Sequence, residues 1–335
     1  MTGQAFHVVG GGAVASVLAG RQRDLVELVA ETYAAHGAGR TQNPDSYFLR
    51  FPDRENARII ALPARLRTGQ DTAGIKWISS FPDNHALSLP RASAVVVLND
   101  MATGRPVACV EGARISATRT AASAALGAAL LHPTREVARV AVVGAGPIAE
   151  TVLDFLLGTE WRVGGFRVTD LVADRAGALC DRLRERGERA EPVPDVAQAV
   201  RGADLVLFAT TAAEPYVHDA GLFGPQQTVL NISLRDLGVG VILAAQNVLD
   251  DVDHCLKANT SPHLAEQATG NREFVAGTLA DVLAGRLSPD SGRVRVFSPF
   301  GLGVLDLAVA RFVLSEAVTL GLAHRIDDFF GADAG

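Results

Sequence analysis

The segment Val137–Val143 and the glycine turn after it constrain this chain most. The residues of that segment form a near-continuous apolar, β-branched run that ends in glycine, the pattern of a strand buried on both faces of a parallel sheet. Next comes Gly144-Ala145-Gly146-Pro147-Ile148-Ala149, then an apolar helical stretch, Ile148–Leu157, and a second apolar strand, Phe166–Thr169, closed by Asp170. Small residues at such a turn let the backbone approach a pyrophosphate, and the free amides and dipole of the following helix stabilise its charge. Pro147 has no amide hydrogen, so Ile148 and its neighbours must donate. An acid at the tip of the second strand accepts hydrogen bonds from a ribose diol and repels a 2′-phosphate. The spacing predicts a dinucleotide site built on Gly144, Gly146, Pro147, Ile148 and Asp170, with NAD preferred over NADP.

The same pattern occurs earlier, at Gly10-Gly11-Gly12-Ala13-Val14-Ala15. No second strand with a terminal acid follows at a comparable distance, so these glycines are read as a tight turn that needs their dihedral freedom. Helix Ala173–Arg186 and strands Asp204–Ala209, Thr228–Ile232 and Val294–Phe297 continue the alternation begun at Val137. The expected fold is therefore α/β, a Rossmann-type doubly wound domain. A second, mixed α+β domain precedes it. There Phe6–Val9, Ala57–Leu62 (ended by Pro63), Gly74–Ser79, Ala94–Leu98 and Pro106–Val110 read as strands, and Asp24–Tyr33 as a helix. An alanine-rich helix spans about Ser116–Leu131, stopped by His132-Pro133. A long periodic helix, Val304–Leu320, returns to the first domain. The predicted domains are 1–133 with 304–335, and 134–303.

At 48% apolar and 20% charged residues, with a net charge of −6, the chain has ample core and no clustered basic footprint for nucleic acid or membrane. Three isolated cysteines suit a reducing compartment. The N-terminus shows no signal peptide and no stretch spans a membrane, so a cytoplasmic location is expected. No histidine pair has metal-ligand spacing, and no metal is expected.

Of 31 basic residues only Lys76 and Lys257 are lysine, which draws attention to Lys76 within an apolar strand. It is either an edge lysine facing water or a cation that grips a carboxylate or polarises a carbon–nitrogen bond. Arg119, in Thr118-Arg119-Thr120-Ala121-Ala122, is read near a helix start, where its charge adds to the dipole. Thr210-Thr211 and the stretch holding Ser233 and Asp236 follow buried strands, whose ends face the ligand crevice of an open α/β sheet. Asp236 is a candidate base or a helix cap.

The ordered set Gly74-Ile75-Lys76, Pro82-Asp83-Asn84, Arg119-Thr120-Ala121-Ala122, the glycine motif at 144–149, Ala209-Thr210-Thr211, Asp236, Asp250-Asp251 and Gly301 with Asp306 resembles the ornithine cyclodeaminase and μ-crystallin superfamily over nearly the whole chain. Within it, the segments 43–52, 76–84, 89–94 and 258–263 are similar to the branch that makes L-2,3-diaminopropionate from N-(2-amino-2-carboxyethyl)-L-glutamate. The resemblance implies that Lys76 and Arg119 hold the substrate α-carboxylate and that Asp236 is the acid/base. It implies that Arg119, Thr120, Thr210, Thr211, Ser233 and Gly301 join the cofactor site, and that Phe300-Gly301 borders the nicotinamide. It further implies a homodimer formed through the first domain and an upstream pyridoxal-phosphate-dependent synthase that makes the substrate, in siderophore or peptide-antibiotic assembly. Members usually carry an arginine where this chain has Ser46. Arg50 and Arg91 are its natural replacements for a substrate with extra carboxylates.

Overall fold

A computed structural model of the chain describes residues 5–331. They form two compact units, one running up to Arg119 and resuming at Leu302, the other Thr120–Gly301. The first boundary lies inside one helix, Ala113–Leu131, rather than after it.

The first unit is built on β1 (Phe6–Val9), β2 (Thr41–Gln42), β3 (Tyr47–Phe51), β4 (Arg54–Thr68), β5 (Gln70–Ser80), β6 (Ala92–Asn99), β7 (Pro106–Glu111) and β18 (His324–Ile326). They make one sheet in the order β18-β1-β7-β6-β5-β4-β2, with β3 also on β4. From β4 to β7 it is the expected antiparallel meander, while β1 joins β7 in parallel. Pro63 does not end its strand, because β4 continues through it to Thr68. On one side Pro63 faces Ile75 of β5; on the other it falls between the stretches paired with β3 and β2. A missing N–H costs least in such a gap.

The glycines 10–12 do not form a turn that needs unusual dihedrals. Gly10 has φ −79° and caps a helix, Gly11–Leu18, which the sequence pattern did not reveal. The helix Gly303–Thr319 belongs to this unit and packs on β4, β5 and β6. Its first half, Gly303–Ala310, is buried all round, so an apolar face distinct from a polar one is found only beyond Ala310.

The second unit contains β8 (Glu136–Val137), β9 (Val140–Val143), β10 (Arg162–Val163), β11 (Phe166–Thr169), β12 (Ala190–Pro192), β13 (Leu205–Phe208), β14 (Thr228–Asn231), β15 (Gln246–Leu249), β16 (Val275–Thr278) and β17 (Arg295–Ser298). The short β8 and β10 pair with each other. The other eight form a wholly parallel sheet, β12-β11-β9-β13-β14-β17-β15-β16. The run 137–143 is thus two strands. It breaks at Ala138-Arg139, where the Arg139 amide donates to the Asp204 carboxylate at 2.9 Å.

Residues of β9, β13, β14, β15 and β17 are all buried; β9 and β13 are apolar throughout, as strands covered on both faces require, while β14, β15 and β17 also bury polar residues such as Asn231, Asn247 and Arg295. Each buried Val or Leu side chain contributes about 1.5–3 kcal/mol. Chain order along the sheet reverses between β9 and β13, where an open α/β sheet places its ligand crevice.

Candidate functional site

In the second unit, the C-terminal ends of β9, β11, β13 and β14 carry the predicted cofactor residues. Gly144 ends β9 at φ +93°, and a Cβ there would stand 2.6 Å from the carbonyl oxygen of Ala209, which follows β13. Only glycine fits this close approach at the switch point. Gly146 caps the helix Pro147–Gly158 with open space beside its Cα, and Pro147 takes the first helical position. Ile148 and Ala149 lie in the first turn, whose N–H groups have no acceptor within the helix.

Asp170 stands at the end of β11 as predicted. One of its oxygens accepts the Ala145 N–H at 2.8 Å and the other the Val172 N–H at 2.9 Å. The Ala145 amide therefore ties Asp170 to the glycine turn and is not a free phosphate donor. Each carboxylate oxygen keeps a further lone pair for a ribose hydroxyl.

Asp236 is fully buried. Its Oδ1 accepts from Thr210 Oγ1 at 2.5 Å and from Tyr216 OH at 2.7 Å, while its Oδ2 has no hydrogen-bond partner. It is not a helix cap. Burial, followed by the neighbouring Asp236 charge, pushes the Tyr216 phenol well above its ordinary range. Thr210 spends its hydroxyl on Asp236, and Thr211 beside it is exposed. The hydroxyl of Ser233 and Oδ1 of Asn231 are buried without partners. Orphaned buried polar atoms at the end of β14 mark a surface built to meet a polar ligand.

Phe300 and Gly301 are set by Asp250, whose two oxygens accept their N–H groups at 3.0 and 2.7 Å. Gly301 needs its φ of +99° to turn there. Cys255 Sγ donates to the same Asp250 at 2.9 Å, and burial first, then that carboxylate, raises its thiol far above the usual range.

In the first unit, Lys76 is no edge lysine: 2% of it is exposed. Its Nζ donates to Asp306 Oδ2 at 2.6 Å and to Ser116 Oγ at 3.2 Å, and Arg119 Nε donates to Asp306 Oδ1 at 3.3 Å. Two cations share one buried carboxylate, which leaves a net positive charge. Desolvation, only partly offset by Asp306, lowers the Lys76 pKa from 10.5 to about 8.

Arg119 is not at a helix start. Glu111 Oε1 accepts the Ala113 N–H at 2.7 Å and begins the helix two turns earlier, so Arg119 serves Asp306 rather than the dipole. Thr120, next along that helix, is half-buried and already engaged in an interaction.

Residues directly opposite in a sheet share a face. Lys76 lies in a row with Leu62 and Val96; the next row is Phe48, Ile60, Ile78 and Ala94; the one beyond is Arg50, Arg58, Ser80 and Ala92. Arg50 is therefore on the Lys76 face, and its guanidinium leans back over the Phe48 ring, 5.2 Å from its centre. Arg91 reaches the same row, with Nε donating to Ser80 Oγ at 3.2 Å.

The sequence pattern did not single out Arg58, Ser116 or Tyr216, and gave Asp306 no role. Strand register alone reveals Arg58.

The family model of the ornithine cyclodeaminase/mu-crystallin family matches residues 14–320. An NAD(P)H-dependent anabolic L-arginine dehydrogenase, DauB, from Pseudomonas aeruginosa is 31% identical over 295 residues, covering 86% of this chain and 90% of its own. The N-((2S)-2-amino-2-carboxyethyl)-L-glutamate dehydrogenase of Staphylococcus aureus is 26% identical over 307 residues, covering 87% and 89%. The crystal structure of CmnK superposes with a TM-score of 0.87 at 28% identity, over 98% of this chain and 100% of that one. The chain belongs to the ornithine cyclodeaminase/mu-crystallin family.

Proposed function

We propose that this chain is an NAD-dependent oxidoreductase acting on the CH–NH bond of N-(2-amino-2-carboxyethyl)-L-glutamate, releasing 2-oxoglutarate and L-2,3-diaminopropionate. The observation that carries this choice of substrate is that Arg50 and, through Ser80, Arg91 stand on the face that holds Lys76. A substrate with three carboxylates has a partner for each of these cations, whereas a simple amino or imino acid has one carboxylate. The dehydrogenase from Staphylococcus aureus, similar over most of both chains, acts on this conjugate by name.

The residues around the glycine turn fit a dinucleotide. A Cβ at Gly144 would collide with Ala209, the first turn of the helix Pro147–Gly158 offers free amides, and Asp170 presents a carboxylate. NAD, when bound, supplies the acceptor for the hydride that leaves the glutamate α-carbon. The net positive cluster of Lys76, Arg119 and Asp306 suits a substrate carboxylate.

Oxidation leaves a carbon–nitrogen double bond bearing positive charge, which the Asp236 carboxylate stabilises. Asp236 Oδ2, without a partner, then takes a proton from the water that adds to the imine carbon. The carbinolamine collapses as the carbon–nitrogen bond breaks. Its oxygen becomes the keto group of 2-oxoglutarate, and the nitrogen, protonated, leaves on diaminopropionate. One substrate, one NAD and one water thus give two products, NADH and a proton.

The protein also pairs with a second copy through the open face of its antiparallel sheet. Tyr47, Trp77 and Val95 line one row there, with Leu49 in the next, and they are 80%, 43%, 38% and 49% exposed. An apolar patch of this kind marks an association surface.

The test is to mix purified protein with NAD and the synthetic conjugate, follow NADH absorbance and identify products by mass spectrometry. NADH, 2-oxoglutarate and diaminopropionate in equal amounts are expected, with Asp236→Asn still binding NAD but turning over at least about 100-fold more slowly. Silence on the conjugate, with ornithine converted to proline and ammonia or an imino acid reduced, would overturn the choice of substrate.

A further inference from the structure

We infer that Tyr216 is a positioning residue that works with Thr210 to clamp one oxygen of Asp236 and reserve the other for the reacting proton. The inference rests on the reading of Asp236 as the base. Tyr216 is bound to Asp236 by side chain and backbone together. Its OH donates to Oδ1 at 2.7 Å, while its N–H and that of Val217 donate to the Asp236 carbonyl at 3.2 and 3.0 Å. Thr210 adds a second hydroxyl to the same Oδ1 at 2.5 Å.

A fully buried carboxylate with two donors on one oxygen and none on the other is costly, because an unpaired buried acceptor loses its hydration. A purely structural aspartate would spread its donors over both oxygens. Concentrating them on Oδ1 fixes the plane of the carboxylate and directs the free lone pairs of Oδ2 at one place.

The other charge acting on Tyr216 is that of Asp170, of the same sign as Asp236. Arg235, next in the chain, is turned away to the carbonyls of Ala258 and Asn259. The donors to Asp236 are therefore neutral hydroxyls, and they stabilise its charge without cancelling it.

Tyr216→Phe keeps the ring and removes the clamp. With the conjugate and NAD as substrates, kcat is expected to fall about tenfold to a hundredfold while the KM for the conjugate and the Kd for NAD change less than about twofold. Thr210→Val lowers kcat alike, and Thr210→Ser, which keeps the hydroxyl, restores most of the rate. Wild-type kcat in Tyr216→Phe, or a Thr210→Ser variant no faster than Thr210→Val, would overturn the inference.

A second measurement does not depend on turnover. The chain has three tyrosines, Tyr33, Tyr47 and Tyr216, so phenolate absorbance can be assigned with Tyr216→Phe. The ionisation of Tyr216 is expected to move to lower pH in Asp236→Asn. If it does not move, the clamp does not exist. If the clamp is seen but no amine is oxidised, the proposed reaction fails and the clamp stands.

Discussion

Replacing Asp306 by asparagine preserves shape and removes the charge that pairs with buried Lys76 and with the mostly buried Arg119. Asp306 is fully buried, 2.6 Å from Lys76 Nζ and 3.3 Å from Arg119 Nε. Removing one partner of such a group costs about 3–5 kcal/mol when the stranded charges cannot escape. Lys76 can escape. Its pKa already stands at about 8, so losing its proton at pH 7 costs only about 1 kcal/mol. In the variant the attraction that held the pKa up is gone, and Lys76 becomes neutral at that modest cost. Arg119 cannot deprotonate, and its share persists at every pH.

The penalty of Asp306→Asn is therefore expected near the lower end, about 3 kcal/mol at pH 7, and roughly 1 kcal/mol smaller at pH 9, where wild-type Lys76 is neutral as well. In the wild type, the unfolded chain holds the lysine proton more tightly than the fold does between about pH 8 and 10.5. Stability therefore rises with pH through that window, and Lys76→Met removes the rise. The assay is urea unfolding at fixed protein concentration in a Trp161→Phe background. There Trp77, beside Lys76 on β5, is the only remaining tryptophan and reports on its own unit. A penalty below about 1 kcal/mol, or one that does not change between the two pH values, would refute the charge accounting.

Gly144→Ala is expected to cost about 1–3 kcal/mol through its positive φ and its approach to Ala209, and to weaken NAD binding measured by calorimetry. Gly12→Ala, in open space within the helix Gly11–Leu18, should instead stabilise by up to about 1 kcal/mol in thermal unfolding. Asp170→Ser should reduce the preference for NAD over NADP by at least about tenfold in titrations of each dinucleotide; an unchanged ratio would remove Asp170 from the cofactor site. Trp77→Glu should convert a dimer to monomers in sedimentation velocity, and a variant that sediments as wild type would exclude that face as the interface.

How much of this was legible in the sequence depends on how far each signal extends. The parallel sheet announced itself through local runs such as Val140–Val143 and Leu205–Phe208, apolar because both faces are covered. The glycine turn and Asp170 were also readable, since a strand, a turn and a helix start lie within one stretch of chain. The continuous strand expected over 137–143 failed on one tertiary bond, from the Arg139 amide to Asp204, 65 residues away. Pro63 misled for a similar reason: whether a missing N–H matters depends on which strands lie alongside, and that is set by the register of β2 and β3. Arg58 and Tyr216 were invisible because their meaning lies in partners, Arg50 across a strand pair and Asp236 twenty residues on.

The buried aspartates show why burial alone does not sort structure from chemistry. Among the described residues, Asp236, Asp250 and Asp306 are fully buried. Asp250 is surrounded by donors, with the N–H groups of Asp251, Phe300 and Gly301 and the Cys255 thiol shared over both its oxygens. Its charge is spent on holding the backbone of one turn. Asp306 also uses both oxygens, on two cations, and its charge sets the net charge that Lys76 and Arg119 present. Asp236 alone keeps an oxygen without a donor. A protein tolerates an unsatisfied buried carboxylate oxygen only where something other than stability selects for it. A base needs such an oxygen: a lone pair already engaged by a donor must lose that bond before it can accept a proton, and the cost of losing it adds to the barrier.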